Sequence, residues 1–352
     1  MKILLFIILL LFSLNANSEL SGYYAKNREV KHFINYMIRK YNFKREYLID
    51  LFSHARKPKR FRTKRRLRRV QSGIAKGRKW WLRSVGYSAY EKRYINEDRV
   101  LEGVKFVRKY NTVLKRISQK LQVDRYIIAA IVGIESYYGE IIGNWETFNV
   151  LALHAFSKKK RAKLFRFELE KLLLLCYRQK LKALYLKGSV YGALGLGQLM
   201  PHAYLKYGMS FDGNRRIEPF SYPDAIATIA NFLHKKGWQK GRAVAIRASY
   251  RGKKFNYIKK RTQHKISKAK LKKWGLKPRT KVEELSFKLL KLKRAEFDEI
   301  WLTFHNFEVL KRYNNSDYYA MAVFQLAQEI QNREKKSKKR SPKHPSQKRP
   351  LK

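Results

Sequence analysis

Only one cysteine stands among 352 residues, which excludes a disulfide framework and any multi-cysteine zinc site. Acids are scarce as well. The chain sets 26 Asp and Glu against 81 Lys and Arg, a formal net charge of +55, and such an excess calls for an anionic partner: nucleic acid, acidic lipid or an acidic cell-wall polymer. Charge does not choose among these. Joint enrichment in Lys, Ile, Asn, Tyr and Phe, of the kind coding bias produces, accounts for part of it. No internal apolar run is long enough to span a bilayer. The eight His show no His-Glu-x-x-His or similar spacing, so neither a metal site nor a cofactor is expected. Against these absences, 45% of the residues are hydrophobic. That is enough for one large domain or two or three packed lobes, and too much for a disordered polyelectrolyte.

The N-terminus narrows the partner. Lys2 precedes an apolar stretch from Ile3 to Leu14, followed by small residues at Ala16 and Ser18. This is the pattern of a secretory signal cleaved after Ser18, with an uncleaved anchor as the alternative reading. The only cysteine, Cys176, lies in a leucine run far from the cleavage point. No lipid anchor is therefore expected, and the thiol reads as a small core residue. Export argues against nucleic acid despite the charge.

Apolar residues recur at helical spacing over 28–55, as Val30, Phe33, Ile34, Met37, Ile38, Leu48, Leu51 and Phe52. Residues 56–79 are mostly basic and read either as a polyanion contact or as a solvated surface. The pattern over 96–187 is helical, with Asp98 and Asp124 as expected caps. The Gly-rich stretch 188–198 reads as a turn. Pro201 opens a short helix, and Pro223 with Asp224 opens another that ends at Gly237. Leu285–Leu292 and Phe297–Phe304 favour strands. A helix is expected over 317–332, and a disordered basic tail from Arg333.

Two segments carry chemistry. In the helix that starts at Asp124, Glu135 follows Ile131 by four residues and Ile128 by seven, which puts its carboxylate on an apolar face. A carboxyl there is poorly solvated and its pKa rises, as a general acid requires. From this helix alone, an ion-paired Glu at a helix end is the stronger reading. The second segment is Ser189-Val-Tyr-Gly-Ala-Leu-Gly-Leu-Gly-Gln198-Leu-Met-Pro201. Its glycines allow close backbone approach. It is neither a phosphate loop nor a dinucleotide turn. Ser189 and Gln198 could hydrogen-bond a sugar amide or hydroxyl, or simply flank a tight turn.

Taken together, Gly133-Ile-Glu135-Ser-Tyr-Tyr-Gly139, the Ser189–Pro201 segment and Arg312-Tyr313-Asn314-Asn-Ser-Asp-Tyr-Tyr319-Ala-Met-Ala-Val323 stand in an order and spacing that resemble the lytic murein transglycosylase B family. The resemblance runs from about residue 28 to about 330, supported by Tyr94–Val104, Asn149–Phe156 and Tyr222–Trp238. It implies a mainly α protein: a lysozyme-like helical core over 96–240, an added N-terminal helical region over 19–95, a small β lobe over 241–310 and a helix over 311–332 that returns to the core. The implied reaction breaks the bond between N-acetylmuramic acid and N-acetylglucosamine without water. The implied acid is Glu135. Ser189 would orient the 2-acetamido group, and Gln198, Tyr313, Asn314, Tyr319 and Tyr90 would line the cleft. One carboxylate suffices if the substrate's acetamido oxygen shields C1 and the C6 hydroxyl attacks it.

The implied partners are peptidoglycan glycan strands and the anionic cell-wall surface, with cell-wall synthesis proteins as further candidates. The implied location is the periplasm or another exported compartment, with the protein soluble after signal cleavage.

The sequence departs from the family at two places. The calcium loop maps to Ser210–Ser221, where serines stand at the first and twelfth positions and Arg215 at the sixth, which wants glycine. No calcium is expected there. A usual Tyr-Pro pair is replaced by Ser157-Lys-Lys-Lys-Arg161, which puts one cleft wall in question. Three other readings stay open at this point: a muramidase that hydrolyses the same bond, a catalytically weak cationic wall-binding protein, and a nucleic-acid binder if the N-terminus is retained inside the cell.

Overall fold

The computed structural model describes residues 19–58, 86–252, 261–262, 264–283, 286–294 and 297–340. The expected signal over 1–18, most of the basic stretch and residues 341–352 of the expected tail lie outside these. In chain order the helices are α1 (Arg28–Tyr41), α2 (Arg45–Ser53), α3 (Tyr87–Tyr94), α4 (Glu97–Lys109), α5 (Asn111–Leu121), α6 (Arg125–Ser136), α7 (Thr147–Ala155), α8 (Ala162–Gln179), α9 (Pro201–Tyr207), α10 (Tyr222–Lys235), α11 (Lys268–Lys273), α12 (His305–Tyr313) and α13 (Asp317–Arg340). The strands are β1 (Trp145–Glu146), β2 (Lys187–Gly188), β3 (Ala245–Tyr250), β4 (Ile266–Ser267), β5 (Leu276–Pro278), β6 (Ser286–Lys293) and β7 (Asp298–Thr303). No helix among the described residues is long and apolar enough to cross a membrane.

The chain forms two compact units. The described part of the first comprises 19–58, 143–194 and 200–202. In α1 the side chain of Asn27 caps the helix by accepting from Val30 N, and Val30, Phe33, Ile34 and Met37 form the buried stripe that the spacing predicts. Asn42 ends α1 in the left-handed conformation, splitting the 28–55 pattern into two helices. Segment 143–194, expected within a single core over 96–240, belongs instead with these N-terminal helices. Phe52 packs edge-on against Phe148 at 5.2 Å. Arg56 N donates to Asn149 Oδ1 at 2.9 Å, and the Tyr36 and Tyr41 hydroxyls both donate to Glu170 on α8. A buried carboxylate served by two phenols costs free energy when either is removed, so these contacts bind the two stretches into one body.

In the second unit, α6 is buried almost all round through Ile127, Ile128, Ile131 and Val132, and packs on α4 and α13. Asp124 caps it by accepting from Tyr126 N at 2.8 Å. Helix α4 is capped by Asn96, which accepts from Arg99 N at 2.9 Å, and not by Asp98. Asp98 already sits within the first turn, where its charge complements the helix dipole instead.

The β lobe is a five-stranded antiparallel sheet in the order β4-β6-β7-β3-β5, with Leu290 opposite Trp301 and Ala248 opposite Ile300. Its core holds Ile266, Phe287, Leu289, Ile300 and Leu302. The lobe ends before the expected residue 310. Phe304 N donates to Val244 O at 3.1 Å, and the Asn306 amide donates to the carbonyls of Gln239 and Arg242, which turns the chain into α12.

Helix α13 continues to Arg340, past the tail boundary expected at Arg333. Glu334 is only 3% exposed. It pairs with Arg125 at 3.1 Å and accepts from the Tyr126 hydroxyl, while Arg333 pairs with Glu97. These long-range partners hold a stretch that composition alone reads as disordered.

Candidate active site

Glu135 occupies the last turn of α6. The helix stops there because Tyr137 and Tyr138 both take left-handed backbone, at φ 49° and φ 59°. Their N–H groups return to the carbonyls of Gly133 and Val132, which closes the helix end as a glycine-type cap would. Left-handed backbone costs a non-glycine residue about 1–2 kcal/mol. The surroundings offset this. The Arg99 guanidinium lies 4.7 Å over the Tyr137 ring and donates to Gly133 O. The Tyr138 hydroxyl donates to Arg99 O at 2.9 Å.

The carboxyl of Glu135 is half-buried by exposed surface, yet protein surrounds it densely. Burial is the dominant influence and lifts its pKa from 4.5 to about 7. The Tyr319 phenol acts in the opposite direction by favouring the ionised form. No ion pair to Glu135 forms among the described residues, which removes the salt-bridge reading. Tyr90, Tyr313 and Tyr319 all have their ionisation opposed first by burial and then by charges that include Glu135. A cage of neutral phenols around a carboxyl that holds its proton to near-neutral pH can deliver that proton.

Three elements supply the phenols. Tyr90 comes from α3, within a cluster that includes Tyr87, Tyr94 and Tyr318. Tyr313 ends α12 and Tyr319 begins α13, their rings parallel to within 8° at 6.2 Å. The Tyr313 hydroxyl donates to Gly197 O at 2.5 Å. Glycine is needed there: a Cβ on Gly197 would stand 2.8 Å from the Tyr313 hydroxyl oxygen and 3.1 Å from Ile229 Cγ1. In the same loop Gly195 has φ 66°, and a Cβ there would meet Pro219 O at 2.1 Å.

Gln198 is also left-handed, at φ 48°. Its amide nitrogen donates to Ile142 O at 2.9 Å and to Gly195 O at 2.8 Å. Two carbonyl partners fix the amide orientation and leave the Gln198 carbonyl oxygen as the acceptor offered to a ligand. Asn314 is exposed in the turn between α12 and α13.

Ser189 belongs to the first unit. Its hydroxyl oxygen accepts from the N–H groups of Tyr191 and Ala193, at 3.3 and 3.0 Å. A hydroxyl has two lone pairs and one donor hydrogen, so the hydrogen remains available for an acceptor on a ligand.

The 210–221 loop does not suit a calcium ion. Ser210 Oγ bonds Asp212 Oδ1 at 2.7 Å, and Asn214 Nδ2 donates to Asp212 Oδ2 at 2.8 Å. Asn214 Oδ1 accepts from Arg216 N at 2.7 Å. Buried Asp224 accepts from Phe211 N and Glu218 N. The oxygens a cation would need are engaged within the loop, Arg215 and Arg216 add two positive charges to the same stretch, and Arg215 sits at φ 63° where a calcium loop wants glycine.

Arg99 and the Tyr137–Tyr138 pair are the site residues that sequence reasoning missed. The available signal was a tyrosine pair in place of a glycine directly after a helix-ending Glu-Ser.

The transglycosylase SLT domain family matches residues 25–328. The chain is 33% identical to the membrane-bound lytic murein transglycosylase B of Escherichia coli strain K12 over 314 residues, which is 89% of this chain and 85% of that protein. The fold is similar to that of the E. coli lytic transglycosylase SLT35 solved in complex with calcium: TM-score 0.80, 31% identity, covering 91% of this chain and 98% of that one. It is also similar to SltB3 of Pseudomonas aeruginosa solved in complex with NAG-anhNAM-pentapeptide: TM-score 0.64, 25% identity, covering 70% of this chain and 66% of that one.

Proposed function

The chain belongs to the transglycosylase SLT domain family, and on that premise we propose that it cuts peptidoglycan glycan strands between N-acetylmuramic acid and N-acetylglucosamine, leaving 1,6-anhydromuramoyl ends. The observation that carries this reading is the carboxyl of Glu135, lifted to about 7 by burial, beside phenols and with no ion pair among the described residues.

In the proposed mechanism, protonated Glu135 gives its proton to the glycosidic oxygen as that oxygen's bond to C1 of the muramic sugar breaks. Positive charge develops at C1, and the substrate's own acetamido oxygen shields it. Glu135, now a carboxylate, takes the proton of the C6 hydroxyl as that oxygen bonds to C1. The carboxyl ends as it began, protonated, and no water is consumed. The bound phenols carry no charge and keep the site poorly solvated, which keeps the acid form populated. On the family resemblance we assign Ser189 to the acetamido oxygen, and Gln198, whose carbonyl oxygen forms no hydrogen bond among the described residues, to a sugar hydroxyl or amide. Tyr90 and Tyr313 offer partly exposed ring faces, which suit sugar rings, whereas Tyr319 is buried and is assigned to the carboxyl of Glu135 and not to the sugar. Asn314 is assigned to the same cleft on resemblance. We place the protein outside the cytoplasm, where peptidoglycan lies, with its cationic surface retaining it on the anionic wall.

The test is mass spectrometry of the sugars that the protein releases from purified sacculi, beside Glu135→Gln. Anhydromuramoyl ends that disappear in the variant are the expected result. Reducing ends would instead make the protein a hydrolase of the same bond.

A further inference from the structure

A cavity of about 440 Å³ lies in the second unit where the β lobe meets the start of α12. Its wall includes Lys265, Lys288, Glu283 and Glu308, with Phe287 and Phe304 beneath. None of these residues belongs to the site around Glu135.

The charges here are unevenly matched. Arg261 pairs with both Glu308 and Asp317, Lys311 pairs with Asp317 at 2.8 Å, and Arg242, also on the wall, pairs with Glu283 at 4.0 Å. Those cations therefore have their counterions. Lys265 and Lys288 form no ion pair among the described residues. Lys288 is half-buried, and its ammonium pKa is pushed down first by burial, then by the neighbouring charges of Arg261, Lys311 and Lys265, with Asp317 acting in the opposite direction. A half-buried ammonium repelled by three cations is stabilised by any anion that reaches it. The carboxylates of Glu283 and Glu308 on the same wall disfavour a dianion. They suit a ligand whose single negative charges alternate with N–H or ammonium donors. The phenylalanine floor accepts small apolar side chains.

We propose that this cavity binds the free carboxylate end of a short peptide, with Lys265 and Lys288 as the carboxylate contacts. If the chain acts on peptidoglycan, as the preceding section proposes, the natural occupant is the stem peptide carried by muramic acid. That identification rests on the preceding reading, whereas the pocket's carboxylate chemistry does not.

The experiment is isothermal titration calorimetry on the mature full-length protein carrying Glu135→Gln, so that binding is read without turnover. The probe is the tripeptide L-alanyl-γ-D-glutamyl-meso-diaminopimelate. Its fully amidated form and inorganic phosphate are the controls. Lys265→Gln/Lys288→Gln, made in the same background, tests the site.

The tripeptide is expected to bind, and to bind about tenfold or more weakly in the double lysine variant, a difference that calorimetry resolves. The amidated peptide and phosphate are expected to bind no better than that variant does. Equal binding by the amidated peptide, undiminished binding in the variant, or phosphate binding as tightly as the tripeptide would each overturn the proposal. The outcome is independent of catalysis. Peptide binding without release of anhydro sugars by the unmodified protein would leave the pocket standing and remove the glycan reading. Sugar release without peptide binding would do the reverse.

Discussion

The Tyr313 hydroxyl donates to the carbonyl of Gly197 at 2.5 Å, and the same hydroxyl oxygen is what a Cβ at position 197 would meet, at 2.8 Å. The glycine thus sets both the partner and the clearance of one phenol beside Glu135. Gly197→Ala should move Tyr313 and lower turnover on sacculi by about a hundredfold, the scale of an ångström-sized misplacement. It should also destabilise the fold by about 1–3 kcal/mol through overpacking. The check is a double-mutant cycle. Tyr313→Phe removes the clashing oxygen, so the stability losses in Gly197→Ala/Tyr313→Phe should add to clearly less than the sum of the single losses.

Glu135 should leave a signature in stability against pH. Its folded pKa, about 7, lies above the ordinary value of 4.5. The native state therefore holds the proton more tightly than the unfolded chain does. The stability this confers is complete below pH 4.5 and is lost as pH rises through 7. Glu135→Gln does not titrate. Its stability relative to the unmodified protein should therefore rise from pH 4.5 to pH 8 and then level off, with a ceiling of about 3 kcal/mol. Denaturant titrations at a series of pH values check this. A flat difference would contradict the raised pKa.

Tyr319→Phe removes the phenol that favours ionised Glu135, so the carboxyl should hold its proton to still higher pH. The basic limb of the activity profile should shift upward by about half a unit to one unit, and the acid limb should stay in place. A uniform loss of rate with no shift would assign Tyr319 to packing alone.

Arg99→Lys keeps the charge but loses the planar group that lies over Tyr137 and bonds Gly133 O. Lysine does not replace a stacked, directional guanidinium. The expected loss is about 1–2 kcal/mol by denaturant unfolding. Turnover should fall as well, because the left-handed pair at the end of α6 would lose its support.

Calcium should neither bind at the 210–221 loop nor protect the fold. Millimolar calcium should leave the melting temperature unchanged, and a chelator should do the same. A sub-millimolar calcium affinity by calorimetry would contradict the loop reading.

Much of this architecture was legible because it follows local rules. The i, i+4 spacing of Ile131 and Glu135 put the carboxyl on a buried face, and the strand-favouring runs 285–292 and 297–304 fall on β6 and β7. Asp124 caps α6 as its position before an apolar run implied. What stayed hidden depends on distant partners. Asn149 and Glu170 join the N-terminal helices because they satisfy the backbone of Arg56 and the phenols of Tyr36 and Tyr41, and no local pattern encodes that. Asn96 over Asp98 as the cap is a local choice, where two good capping residues stand two apart and the backbone decides. The left-handed Tyr137, Tyr138 and Gln198 break propensity where the fold places functional groups, which is where local rules are expected to fail.

The helix that supplies Tyr319 near one end has Glu334 clamped to Arg125 and Tyr126 toward the other. Those two residues begin α6, whose far end carries Glu135. Helices α6 and α13 therefore run in opposite directions and are pinned at both ends, like two rails joined by cross-ties. At 1.5 Å per residue, the tie at Arg125 lies ~15 Å along α6 from the carboxyl. A chain cut after residue 332 would keep every residue assigned to the site and still release one tie, letting α13 slide against α6. The last turns of α13 thus act as an alignment gauge for the distance between a phenol and an acid, and their basic composition conceals that mechanical duty.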